Sequence, residues 1–253
     1  MAEAGSEPVL AVVGLTKRYG ALTVTDRVHL AVQTGCIHAV IGPNGAGKTS
    51  LMQQISGFVR QDAGQVLLRG HDITRLAPHR RARLGLARSF QVTAVLPEMS
   101  TVENVALAAR SAAGARWGFI RPAARDERFV RNAEVLLDRV GLVDRAAQAA
   151  GRLSHGERRQ LELAAALALR PSVLLLDEPL AGAGPEETPR LVALLDGLRR
   201  DCAVLLIEHD MAAVFALADT ISVLDQGRVI ASGPPAAIRD DPAVRAAYLG
   251  ETL

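Results

Sequence analysis

The chain has 253 residues, 49% of them hydrophobic and 22% charged, with 29 basic against 27 acidic side chains. That is enough apolar material for a sizeable core, and the formal net charge of +2 leaves no global basic excess to hold a polyanion, which argues against a nucleic-acid partner. Two cysteines exclude a disulfide scaffold, no apolar run approaches the roughly 20 residues that span a bilayer, and an acidic N-terminus predicts no signal peptide, so cytosolic residence is expected and any membrane role must come through a partner.

In chain order, short β-rich runs bounded by glycine occupy residues 9–13, 28–32, 37–41 and 66–68 and predict the start of a sheet. A glycine-rich loop follows the third run, and a helix is predicted over residues 49–55. From Ser100 the pattern changes to Ala, Leu, Arg and Glu at helical spacing; Ser100 with Glu103 three residues on reads as a capping box, and a mostly helical block is predicted to about Leu169. Residues 114–125, with Trp117 and Phe119, break that pattern and predict a loop. Val173-Leu-Leu-Leu-Asp177 and Ala203-Val-Leu-Leu-Ile207 are unbroken apolar runs, the mark of strands buried on both faces of a parallel sheet, separated by a helix predicted over 186–200. The chain thus reads as an α/β core interrupted by a helical insert, with no internal repeat and no low-complexity linker.

The loop is Gly42-Pro43-Asn44-Gly45-Ala46-Gly47-Lys48-Thr49, in the strand, glycine loop, helix context that phosphate binding requires. Glycines let backbone N–H groups curl around phosphate oxygens, and the helix N-terminus adds the positive end of its dipole. Lys48 supplies a point charge and Thr49 a hydroxyl for Mg²⁺. Lysine occurs only at positions 17 and 48, so this pattern is expected by chance about 0.001 times in a chain of this composition. Because 27 of the 29 basic residues are arginine, the lysine at 48 also argues for a crowded site that suits a compact ammonium and excludes a planar guanidinium. Asp177 at a strand's C-terminal end can hold Mg²⁺ through water, and Glu178 beside it can polarise an attacking water. His209 lies just past the C-terminal edge of a further strand and is expected to face the same crevice.

These residues together resemble the nucleotide-binding subunits of ABC transporters. Leu153-Ser154-His155-Gly156-Glu157 is similar to that family's signature motif and lies, as the family requires, between the phosphate loop and Asp177. Read from the residues alone, Ser154 with Glu157 is a capping box opening the helix of residues 161–169, and a capped helix N-terminus is compatible with phosphate contact. The resemblance, which covers about residues 9–251, implies a P-loop NTPase fold of the ABC cassette type with an antiparallel β subdomain. It implies a single ATPase domain over residues 8–251, with a core of 8–91 and 170–251 and a helical signature subdomain over 92–169. It also implies ATP and Mg²⁺ as cofactors, with nucleotide contacts from Tyr19 stacking on adenine, from the phosphate loop as far as Ser50, from Gln91, and from Ser154, Gly156 and Glu157. Thr49, Gln91 and Asp177 are then the metal-side residues, Glu178 the catalytic base and His209 the switch histidine.

The implied partners are a second ABC ATPase subunit, identical or a paralogue, transmembrane permease subunits and, indirectly, a solute-binding protein. The subunit would sit on the cytoplasmic face of the inner membrane, with Val95, Leu96 and Met99 as candidate lining for a groove that receives a permease helix. Two positions depart from the family pattern. Gly184 stands where the loop after the catalytic Glu usually carries Asp or Asn, and His155 replaces the first signature glycine. The signature, Leu206-Ile-Glu-His-Asp-Met211 and the tail over residues 237–251 look most like the ATPases of branched-chain amino-acid importers. Similar tails occur in urea or amide importers and in a lipopolysaccharide-export ATPase. A soluble, non-transport ABC ATPase is a further alternative, but such proteins usually carry two cassettes or long coiled coils, and a non-hydrolysing regulatory module is disfavoured by the intact Glu178 and His209.

Overall fold

The structure, a computed structural model, describes residues 7–88, 95–113, 126–184 and 186–247; Gln91 and the loop predicted over 114–125 lie outside the described residues. The four early β-rich runs do not share one sheet. Strands β1 (Leu10–Tyr19) and β2 (Leu22–Val32) form a long antiparallel pair, to which β4 (Ala63–Leu68) and the short β5 (His71–Asp72) add in the order β2-β1-β4-β5. Strand β3 (Ile37–Ile41) leaves them and enters a six-stranded sheet with β6 (Leu86–Arg88), β7 (Val173–Asp177), β8 (Ala203–Ile207), β9 (Thr220–Asp225) and β10 (Arg228–Gly233), ordered β10-β9-β3-β8-β7-β6. All neighbours are parallel except the β9–β10 hairpin at one edge. Burial separates the two sheets. Strand β2 alternates buried and open positions over much of its length, whereas every residue of β3, β7 and β8 is buried, as their unbroken apolar runs require.

The period of two in β7 and β8 divides the core. Val173, Leu175, Ala203, Leu205 and Ile207 face the side where helix α1 (Lys48–Ser56) and the antiparallel sheet pack, while Leu174, Leu176, Val204 and Leu206 face the helices. Those helices are α3 (Thr101–Ala112), α4 (Glu127–Arg139) and α5 (His155–Ala168), packed on one another. Both predicted capping boxes are present, Ser100 with Glu103 and Ser154 with Glu157. The second opens α5 at once, so the helix starts six residues before the apolar stretch that predicted it. The helix predicted over 186–200 is α6 (Thr188–Gly197) followed by a tight 3₁₀ turn over Leu198–Arg200, with Pro189 in its first turn. The rest of the chain adds α2 (Pro78–Arg83), α7 (Met211–Leu217), α8 (Pro235–Asp240) and α9 (Pro242–Ala247).

Two buried polar groups hold the halves of the molecule together. Arg81, 2% exposed, donates to the carbonyls of Gln54 and Ile55 at the end of α1 (2.9 and 2.6 Å) and to those of Leu76 and Thr74 (2.9 and 2.7 Å). A cation thus closes the negative end of the helix whose other end carries the phosphate loop. Burial pulls the guanidinium pKa down to about 10, which still leaves it charged at neutral pH. His38 on β3 bonds the Ala31 carbonyl through Nδ1 (2.9 Å) and Ser222 Oγ through Nε2 (2.8 Å), and Ser222 continues to Ser232 Oγ (2.8 Å), so one chain of bonds ties β2, β3, β9 and β10.

Burial pulls the His38 imidazole from 6.5 down to about 4. At pH 7.5 the ring is almost entirely neutral in both folded and unfolded chains; as the pH falls towards 4, the unfolded chain takes up a proton that the folded one refuses, and stability drops. Between pH 7.5 and 4.5 this group alone should cost about 2.5 kcal/mol. Urea unfolding of His38→Gln at the two pH values should show a loss smaller than wild type by about that amount, and equal losses would refute the assignment.

Candidate functional site

The parallel order delivers the chemistry-bearing segments to one sheet edge. The end of β3 runs into the glycine loop, and the ends of β7 and β8, paired at Asp177 and Ile207, run into Glu178 and into Glu208-His209. In the loop the glycines are required by geometry. Gly42, Gly45 and Gly47 have φ of 150°, 81° and 105°, and a Cβ at Gly42 or Gly47 would stand 1.9 Å from the Leu224 carbonyl oxygen or 2.2 Å from that of Val24. The loop is therefore a cradle of bare backbone. Gly47 caps α1, and Lys48, Thr49 and Ser50 form the helix's first turn, whose N–H groups have few intrahelical partners. Asn44, Gly45 and Thr49 are exposed, Pro43 and Ser50 half-buried, and Ala46 is buried against the core beneath. Lys48 Nζ lies over the loop's own mouth, donating to the carbonyls of Gly42 (2.5 Å) and Pro43 (3.0 Å).

Across the sheet edge, Asp177 is buried and paired with Arg88 of β6 at 2.9 Å. Burial pushes its carboxyl pKa up, and the Arg88 charge opposes the rise. Arg88 also donates to Ser56 Oγ at 3.2 Å, while its buried Nε has no partner among the described residues. Glu178 takes a left-handed backbone, φ 50°, unusual for a residue other than glycine, with its N–H donating to the Ile207 carbonyl at 2.8 Å. The donors available for a metal here are hydroxyl and carboxylate oxygens, a set suited to Mg²⁺. Among the described residues no group of three or more His, Cys, Asp or Glu could hold a metal, so an ion here would take the rest of its shell from phosphate oxygens and water.

His209 stands just past the carboxyl edge of β8, its side chain 66% exposed and its Nδ1 3.8 Å from Glu208 Oε2. The chain then enters α7, which Asp210 caps. A cleft of about 670 Å³, lined by Asp177 and Glu178, opens between β7 and the helical block, and Ser154, His155, Gly156, Glu157 and Arg190 share its wall. No residue of 42–49 does. Ser154 and Gly156 are exposed at the head of α5, whereas the Glu157 carboxylate accepts from Ser154 N–H (2.8 Å) and from Arg145 Nε (3.1 Å), and the Ser154 amide bond holds its pKa below the usual range. Tyr19 ends β1 with its ring half-exposed and Lys17 Nζ 5.2 Å from the ring centre.

Arg88 and Glu208 escaped sequence reasoning. Their partners are 89 and 28 residues away, and no local pattern announces them.

A lysine-ended glycine loop heading a helix after a central parallel strand, with an Asp-Glu pair beyond the strand next but one, defines a P-loop nucleotide hydrolase. Within that class the chain belongs to the ABC transporter family, whose model matches residues 25–181; a second model, described as branched-chain amino acid ATP-binding cassette transporter, matches residues 228–252. The chain is 41% identical over 253 residues to the high-affinity branched-chain amino acid transport ATP-binding protein BraF of Pseudomonas aeruginosa, and 38% identical to LivG of Escherichia coli K12, which carries the same description. Both matches cover 97% of this chain and 99% of the relative. Among solved structures it is similar to the ADP conformation of MJ1267, an ATP-binding cassette of an ABC transporter, with TM-score 0.84, 28% identity, and coverage of 97% of this chain and 100% of the other. The protein is thus an ABC ATPase with the α/β cassette fold.

The Arg88–Asp177 pair carries a stability consequence. Arg88→Met leaves a buried carboxylate without its partner and should cost about 3 kcal/mol in denaturant unfolding without nucleotide. The double variant Arg88→Met/Asp177→Asn should cost clearly less than the sum of the two single changes; additive losses would show that the pair is not coupled.

Proposed function

We propose that this chain is the ATP-hydrolysing subunit of an importer for branched-chain amino acids, bound to permease subunits at the cytoplasmic face of the membrane. The observation that carries the solute class is the C-terminal family match over residues 228–252, of which residues 228–247 form β10, α8 and α9. No helix among the described residues is long and apolar enough to cross a membrane, in keeping with a subunit that reaches the bilayer through partners.

In this reading the backbone N–H groups of the glycine loop and Lys48 hold the phosphates of ATP, and Tyr19 offers its exposed ring to adenine. Thr49 and Asp177 hold Mg²⁺, which supplies charge neutralisation on the phosphates, and Gln91 completes that side. Glu178 orients and deprotonates the attacking water, with His209 contacting the γ-phosphate. Ser154 and Gly156 serve the phosphate loop of a second ATPase subunit, a role supported by the absence of residues 42–49 from the cleft that the signature lines. Glu157 acts through the cap, because its carboxylate is engaged by Ser154 and Arg145. Gly184 is not imposed by the backbone: its φ is not positive, and a Cβ there meets nothing within 4 Å, so an Asp would fit.

The roles separate in two variants. Lys48→Ala should abolish ATP binding, whereas Glu178→Gln should retain ATP and release phosphate at least about 100-fold more slowly. Nucleotide retention and phosphate release measured on both decide it, and wild-type turnover by Glu178→Gln removes Glu178 as the base.

Permease docking is assigned to the surface before α3. Of the three candidates, Val95 packs against the helical core and Met99 is half-buried, leaving Leu96, 46% exposed, as the residue that offers apolar surface. Asn104 holds the Leu96 backbone on both sides, accepting from its N–H (2.8 Å) and donating to its carbonyl (3.1 Å). Leu96→Glu should lower permease co-purification and transport by about tenfold while ATP affinity stays within about twofold. Undiminished assembly by a folded Leu96→Glu would place docking elsewhere.

A further inference from the structure

Among the described residues two carboxylates are buried, Asp177 and Glu208. Asp177 faces an arginine. Glu208, 1% exposed just past β8, is instead satisfied by backbone: Oε1 accepts from the Leu180 N–H at 2.7 Å and Oε2 from the His209 N–H at 3.1 Å. Burial pushes its carboxyl pKa up, and the backbone amides of Leu180, His209 and Asp210 oppose the rise. A buried carboxylate without a guanidinium or ammonium is costly, and a fold keeps one where its geometry is needed.

What the geometry serves follows from its partners. Leu180 is two residues past Glu178, and His209 is adjacent to Glu208, so a single side chain spans the loop after the proposed base and the turn carrying the proposed γ-phosphate contact. Residues 179–184, Pro-Leu-Ala-Gly-Ala-Gly, contain no polar side chain, so the loop cannot fix itself through its own side chains. Its attachment to β8 comes from two consecutive residues: the Ile207 carbonyl holds Glu178 N–H and Glu208 holds Leu180 N–H. Together they brace the left-handed turn at Glu178.

We infer that Glu208 is a positioning residue for ATP hydrolysis, clamping the 179–184 loop to the end of β8 so that Glu178 and His209 keep a fixed relation. The inference rests on the roles proposed above for those two residues. An ionised carboxylate suits the task because both oxygens only accept; the amide of glutamine would set its NH2 against either the Leu180 or the His209 N–H, and a shorter side chain would not reach Leu180.

The test uses the purified full-length subunit with ATP and Mg²⁺. In Glu208→Gln, ATP affinity should stay within about twofold of wild type while phosphate release at saturating ATP falls about tenfold; in Glu208→Ala the fall should approach about 100-fold, with faster hydrogen exchange at the Leu180 amide. Turnover of Glu208→Gln equal to wild type overturns the inference, as does a loss of kcat matched by an equal loss of ATP affinity. Should Glu208→Ala not fold, the near-isosteric Glu208→Gln decides alone. Glu178→Gln run in parallel separates the two readings: wild-type turnover there removes the base assignment and this inference with it, whereas an inert Glu178→Gln beside a fully active Glu208→Gln removes only the clamp.

Discussion

Burial on both faces of β3, β7 and β8 is the constraint on which the rest depends. Strands with no face for solvent must lie in the middle of a covered sheet, and parallel pairing then sends all their C-terminal ends to one edge. The glycine loop, the Asp177-Glu178 pair and the Glu208-His209 turn come from positions more than 160 residues apart at the extremes, yet they emerge side by side because the register pairs Val40 with Ile207 and Ile207 with Asp177. Helix α1 can then point its N-terminus at that edge only because β3 delivers it there through a loop free of side chains.

Concentrating charge at a covered edge creates a cost that the structure meets in distinct ways. Lys48 is held by two loop carbonyls, Arg81 by four carbonyls, Asp177 by Arg88, and Glu208 by backbone amides. An unpaired ion in such surroundings costs several kcal/mol, so each of these groups ties two segments of chain together. The consequence is mechanical as well as energetic. Arg81 joins the far end of α1 to the segment leading into β6, Arg88 carries the connection from β6 to Asp177, and Glu208 joins the ends of β7 and β8.

The helical block stands apart in its chemistry. Its contribution to the cleft is a helix head, Ser154 to Glu157, whose cap is completed within its own turn. With the cap satisfied locally, the exposed amides at His155 and Gly156 need no partner from this chain's phosphate loop, which lies on another part of the edge. A loop of apolar and glycine residues then links Glu178 to α6, and its shape is set by backbone bonds, one of which comes from Glu208. Residues 179–184 carry no polar side chain, and the buried carboxylate just past β8 supplies a fixed point for them.

Local chemistry made much of this legible before any coordinates. Unbroken apolar runs, the glycine loop and the Ser100–Glu103 and Ser154–Glu157 caps are short-range patterns, and each became the element it predicted because its cause lies within a few residues. The division of the early strands between two sheets was not legible, since 9–13 and 37–41 look alike as isolated runs and only their neighbours distinguish them. The short strands β5 and β6, the β9–β10 hairpin and the helices after it carried too weak a periodicity to outweigh their surroundings. The partners of Arg88 and Glu208 were decided by tertiary structure alone. A hydrogen bond between residues 28 or 89 apart leaves no trace in local spacing; it exists because two buried strands, placed by the hydrophobic core, bring one charge within reach of a group that must satisfy it.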